Sequence, residues 1–108
     1  MNRRAARKDE NHNEIESVFR TLLADHVTDS SPWGDGFGDL FVSFGGESGP
    51  AYCHVVEIKC DDKATLTAAQ IKFQKRHPGC HTRVETPEQA TALCGWIRKQ
   101  VEKLQVRL

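Results

Sequence analysis

The 108 residues carry 15 Lys and Arg against 15 Asp and Glu, with 28% charged and 38% hydrophobic residues, which fits one small domain with one core and excludes a multidomain machine. No run approaches the roughly 20 apolar residues needed to span a bilayer, and the Arg-rich start Met1 to Lys8 leads into Asp9 and Glu10 instead of a signal peptide's apolar stretch; the expectation is a soluble, cytoplasmic protein without membrane contact. Zero net charge hides a segregation: residues 1–8 hold four bases and no acid (+4), residues 9–62 twelve acids and two bases (−10), and residues 63–108 nine bases and three acids (+6). An acidic middle between basic flanks suits a cation site within a surface that attracts a polyanion, although charge alone favours a chance distribution over solvated faces.

From Asp9 to about Val27, Ile15, Val18, Phe19, Leu22, Leu23 and Val27 recur at three- and four-residue steps, the stripe of an amphipathic helix. Asn11 with Glu14 three positions on reads as a capping-box-like start. Thr28 to Gly38, with three glycines and a proline, predicts a flexible loop that delivers the chain to Asp39. Leu40–Phe44 and Ala51–Cys60 are rich in aromatic and β-branched residues and flank Gly-Gly-Glu-Ser-Gly-Pro, a hairpin with a longer loop. The strand period puts Val55, Glu57 and Lys59 on one face and His54, Val56 and Ile58 on the other. Leu66 to His77 predicts a helix started by Thr65 or Thr67 and stopped by Pro78-Gly79. Cys80–Glu85 predicts a short strand. Thr86, Pro87 and Gln89 supply an N-cap, a first-turn proline and a capping-box partner for a last helix striped by Ala90, Leu93, Cys94, Ile97, Val101 and Leu104. The fold class is α/β, a small mixed β-sheet flanked by helices.

The four cysteines, Cys53, Cys60, Cys80 and Cys94, read as reduced thiols in a chain with an ordinary core and no export signal. Cys53-His54 and Cys80-His81 are adjacent pairs whose members point to opposite strand faces, which disfavours a zinc site. The five histidines have neither ligand spacing nor a nucleophile partner and are expected mostly at the surface. Cys60 is expected to pack in the core. Gly34-x-Gly36-x-Gly38 leads into a strand instead of opening a helix, so it is weak as a phosphate cradle. Trp33 and Phe37 either stack on an unpaired base or cover the core's edge.

Chemistry concentrates on Asp39, the Glu57-Ile58-Lys59 triplet and Glu14. Carboxylates arranged by a sheet suit a hard cation, and a lysine two positions after a ligand shares its face. Taken singly, each has a plainer reading: Glu57 with Lys59 as a solvent-facing pair, Asp39 as a turn residue, Glu14 as part of a cap, which leaves Glu16 its nearest rival as a ligand, and Gln70 as helix surface.

The ordered series Gly38-Asp39-Leu40-Phe41-Val42, Val56-Glu57-Ile58-Lys59 and Leu66-Thr67-Ala68-Ala69-Gln70 resembles the PD-(D/E)XK nuclease superfamily, in particular the small stand-alone VRR-NUC domains related to Holliday junction resolvases. Arg4-Ala5-Ala6-Arg7-Lys8-Asp9-Glu10-Asn11, with Glu14-Ile15 beyond, is similar to the opening helix of phage and bacterial members, and the likeness runs from about Arg4 to about Leu93. One departure is Gly38, where the family commonly has proline. The resemblance implies a single nuclease domain over residues 1–108, with residues 1–8 as a basic N-terminal arm and a restriction-endonuclease-like core in the order α-β-β-α-β-α. It implies that Asp39, Glu57 and the backbone carbonyl of Ile58 bind Mg²⁺ or Mn²⁺, that Glu14 completes the shell through water, that Lys59 positions the attacking water or the scissile phosphate, and that Gln70 braces the site. The implied activity is hydrolysis of phosphodiester bonds in DNA, including branched DNA such as Holliday junctions, by a homodimer. Lys63, Lys72, Lys75 and Arg76, with Arg83, stand where phosphate contacts are expected. The alternative is a nucleic-acid-binding module that keeps the fold without cleavage; retained Asp39, Glu57 and Lys59 argue against it, because clustered acids repel phosphate.

Overall fold

The computed structural model describes residues 11–23, 26–34, 36–45, 51–61 and 63–107. The basic arm and the family-like segment through Glu10 lie outside the described residues, as does the hairpin turn after Gly45. The elements are α1 (His12–Leu23), β1 (Val27–Asp29), a 3₁₀ turn (Ser31–Trp33), β2 (Leu40–Gly45), β3 (Ala51–Ile58), α2 (Ala68–Arg76), β4 (His81–Val84) and α3 (Pro87–Arg107). The described residues form a small α/β protein with three α-helices on a four-stranded mixed sheet, as expected, with one strand more than the sequence indicated.

That strand is β1. The first helix stops at Leu23, and Val27–Asp29 pairs antiparallel with β2 in the register Val27↔Val42 and Asp29↔Leu40. Helical periodicity includes Val27, but a β-branched Val-Thr pair beside an open sheet edge gains more from the ladder than from another helical turn. The Asn11–Glu14 cap is not made among the described residues. Asn11 instead donates from Nδ2 to the carbonyls of Lys59 at 2.9 Å and Glu85 at 2.6 Å, tying the start of α1 to the ends of β3 and β4.

The sheet order is β1-β2-β3-β4, antiparallel except for the β3–β4 pair. A parallel neighbour needs a crossover, and α2 supplies it. Thr67 and Gln70 form a full capping box at the start of α2. At α3, Thr86 Oγ1 accepts from the Gln89 amide at 3.1 Å, while Gln89 Oε1 reaches one residue further back than a capping box requires, to the amide of Glu85 at 2.7 Å.

One face of the sheet carries the core: Ile15 and Phe19 from α1, Val27, Leu40, Val42, Val56, Ile58 and Val84 from the strands, and Ala90, Leu93, Cys94, Ile97 and Val101 from α3. The other face carries α2, which buries none of its residues, and the aromatic side chains of the segment before β2. The central strand β3 is nevertheless buried from His54 through Ile58, on both faces.

Two expectations, about the histidines and about Cys60, need correcting. His12, His54 and His81 are buried, because ligand spacing says nothing about what a helix or a central strand packs against. His54 sits among Tyr52, Trp96 and Thr82, its Nε2 2.7 Å from Thr82 Oγ1, and burial reinforced by nearby His81 lowers its pKa to about 4. Cys60 is exposed, since β3 ends two residues earlier. The four thiols are free, and burial raises the pKa of Cys94 to about 11. Among the described residues no helix is long and apolar enough to cross a membrane.

Candidate active site

Asp39 closes the segment that leads into β2. Its amide donates to the Val56 carbonyl at 2.9 Å, and its Oδ2 accepts from the Ile58 amide at 2.8 Å, so the side chain is pinned to the strand that carries Glu57. Asp39 Oδ1 makes no hydrogen bond among the described residues. Asp39 and Glu57 lie on the face opposite the core, where they line a recess of about 130 Å³ together with Gln70, Ser31, Gly34, Gly36, Phe37 and Gly38.

Glu57 is only 2% exposed, which excludes the solvent-facing pair as its role. Lys59 Nζ stands 3.8 Å from Glu57 Oε2, and Gln70 Nε2 donates to the same oxygen at 2.8 Å. Both ends of Gln70 are therefore committed: Oε1 accepts from the Thr67 amide at 2.8 Å and completes the helix cap, while Nε2 holds Glu57. The cap sets the height of α2 over the sheet, and that height brings the amide to the carboxylate.

The glycine segment is tied at several points by hydrogen bonds. Ser30 donates from its amide to Asp39 O at 2.9 Å and from its hydroxyl to Gly38 O at 3.0 Å, and the Phe37 amide reaches Gly34 O at 3.1 Å. The expected flexible loop is thus a tied one. Gly38 has φ +131°, and a side chain there would run into Val55. Proline, which locks φ near −65°, is excluded from this position by the backbone. Gly36 has φ +73° and passes so close to α2 that a Cβ would lie 2.5 Å from the backbone of Ala69.

Phe37 is packed between Phe41 and Phe73, with ring centroids 5.9 and 5.1 Å away, and covers the edge of this face; Trp33 lies 4.9 Å from Phe37 and is 54% exposed. Of the predicted cations, Lys63, Lys72, Lys75 and Arg76 are all exposed, the last three on α2. Lys72 and Arg76 line a groove of about 250 Å³ with Ala69 and Phe73. Arg83 is engaged, donating to Glu85 Oε2 at 2.7 Å and to Asp61 O at 2.8 Å.

The structure thus brings Asp39, Glu57, Lys59 and Gln70 together around the Ile58 backbone. Glu14 is exposed on α1 and makes no hydrogen bond or ion pair among the described residues. Asn11 and Ser31 were missed as site neighbours, because their contacts are long-range in sequence. A second polar cluster also went unread: His12, Glu16 and Asp29 bring one ligand atom each to within 4.8 Å of one another. Its only local signal is the four-residue step from His12 to Glu16 on α1.

No family model, curated protein or solved structure matches the chain.

Proposed function

We propose that the protein is a divalent-metal-dependent nuclease acting on DNA, with Asp39, Glu57, Lys59 and Gln70 as its working residues. The observation that carries this reading is the convergence of two carboxylates on one recess, with a lysine beside one of them and a capping glutamine bonded to it. The ordered motif series supports it independently.

The donor set fits a hard cation: Asp39 and Glu57 offer carboxylate oxygens, the Ile58 carbonyl lies between the two motif positions, and the recess has room for several waters. Bound there, Mg²⁺ or Mn²⁺ would supply Lewis acidity to a phosphoryl oxygen and lower the pKa of a water. The chain's own groups do the rest. The Ile58 amide fixes the rotamer of Asp39, and Gln70 fixes that of Glu57, so both carboxylates are preorganised. Lys59 supplies a positive charge within reach of a phosphate or of the attacking water. Exposed Lys72, Lys75 and Arg76 on α2, together with Lys63, offer cations for flanking phosphates. A homodimer would put a second site on the opposite strand, which suits branched DNA. Free thiols fit a cytoplasmic location.

The test is a gel assay on linear, flapped and four-way-junction DNA with Mg²⁺, Mn²⁺ or EDTA, run beside Asp39→Asn. Cleavage that needs the metal and vanishes in a folded Asp39→Asn is the expected result. Junctions shifted but uncut would replace the nuclease with a binding module, and neither cutting nor binding would dismiss both.

A further inference from the structure

We propose that His12, Glu16 and Asp29 form a second metal site, selective for a first-row transition dication such as Zn²⁺, that fastens α1 to the edge strand β1. Asp29 shares the core-side face with its ladder partner Leu40, whereas Asp39 and Glu57 line the recess on the opposite face. Its three ligands are therefore distinct from those of the candidate active site, although Ser31 borders both, and the site does not depend on that reading.

The decisive group is His12. It is 1% exposed, and its Nε2 lies 3.3 Å from Glu16 Oε1 and 3.9 Å from Asp29 Oδ2, yet that nitrogen makes no hydrogen bond among the described residues. At 3.3 Å an aligned ring N–H would bond, so the ring nitrogen faces the two oxygens without being aimed at either. Ligands at about 2.0–2.2 Å around a tetrahedral ion stand roughly 3.3–3.6 Å apart. The His12–Glu16 distance is already one such edge, and the His12–Asp29 distance needs to close by only a few tenths of an ångström.

The remaining oxygens are held from outside the cluster. Glu16 Oε2 accepts from Arg20 Nε at 2.9 Å and lies 2.7 Å from a terminal Arg20 nitrogen, while Asp29 Oδ1 accepts from the Ser31 amide at 3.0 Å and its hydroxyl at 2.6 Å. Such outer partners orient ligands toward an ion. One imidazole with two carboxylates selects Zn²⁺, Mn²⁺ or Fe²⁺ over Mg²⁺ and Ca²⁺, which prefer oxygen-only shells. Glu16 and Asp29 are 16% and 27% exposed at the side chain, which leaves a path for the ion and for the water that would complete its shell.

The test is calorimetric titration of the full chain with Zn²⁺, and absorption with Co²⁺, in an Asp39→Asn background that removes the other candidate ligand set. One equivalent should bind with a Kd of micromolar order or tighter, and the Co²⁺ spectrum should lack the intense near-ultraviolet band of thiolate ligation. Ser31→Ala should weaken binding about tenfold, the effect typical of losing an outer partner. His12→Gln and Asp29→Asn should each weaken it by more than that. Should buried His12→Gln fail to fold by circular dichroism, Asp29→Asn decides. Absence of binding at submillimolar Zn²⁺, a thiolate band, or an affinity unchanged in folded Asp29→Asn would overturn the site, leaving His12 as a buried neighbour of two acids only.

Discussion

Replacing Gln70 with leucine separates bracing from helix capping. The side chain makes two bonds of 2.8 Å, one from its amide to buried Glu57 and one to its carbonyl from the Thr67 amide. A hydrogen bond to a carboxylate is worth about 1.5–3 kcal/mol, and loss of a cap contact costs about 1 kcal/mol. Gln70→Leu should therefore lower unfolding stability by about 2–4 kcal/mol, a large share of the 5–15 kcal/mol typical of small domains. Urea denaturation followed by circular dichroism measures it, with Thr67→Ala as the cap-only control expected near 1 kcal/mol. The informative variant is Gln70→Glu, which keeps an acceptor for the cap but sets a second carboxylate against Glu57. It should be at least as damaging as leucine at neutral pH and should recover on acidification. A Gln70→Leu cost equal to that of Thr67→Ala would mean the bond to Glu57 contributes nothing, and the bracing argument would fail.

Asn11→Asp should destabilise more than Asn11→Ala, because it turns a carboxylate toward the Lys59 and Glu85 carbonyls; thermal melts rank the two variants. Gly36→Ala should cost roughly 2 kcal/mol or more and loosen α2, since its Cβ would lie 2.5 Å from the Ala69 backbone and φ is +73°; denaturation and one-dimensional NMR report it. His54 binds a proton in the unfolded chain from pH 6.5 downward but in the folded chain only near 4. Its contribution is thus intact above pH 7 and lost as pH falls, by up to about 3 kcal/mol at pH 4. Buried His81, also lowered, acts with the same sign, and His54→Gln should flatten the decline seen in pH-dependent denaturation. Native-state titration with a thiol reagent should label exposed Cys53 and Cys60 quickly and Cys94 only on unfolding; rapid labelling of Cys94 would contradict its place in the core.

The readable parts were those with local causes. Thr67-x-x-Gln70 announces the α2 cap, Thr86-Pro87 the start of α3, and the strand period sets Glu57 beside Lys59, as their 3.8 Å separation bears out. The unreadable parts depend on partners distant in sequence. A three-residue strand such as β1 exists only because β2 offers it an edge, so periodicity assigned Val27 to the helix and left Thr28 and Asp29 in the loop. Burial of His12 and His54 follows from where α1 and the sheet meet their neighbours, and no spacing rule reports that. The bond from Gln70 to Glu57 spans 13 residues and has no signature in composition or period; only the ordered motif resemblance pointed to it.

The absence of buried residues on α2 has a dynamic consequence. Helices α1 and α3 share the core and should open only with global unfolding, whereas α2 is held by its capping glutamine, by the close pass of Gly36 and by the edge of Phe73 against Phe37. Its amides should exchange with solvent through a cheaper, local opening that leaves the sheet intact. That opening uncovers Glu57, so the element that organises the carboxylate in the closed state also governs how often it meets solvent or a ligand.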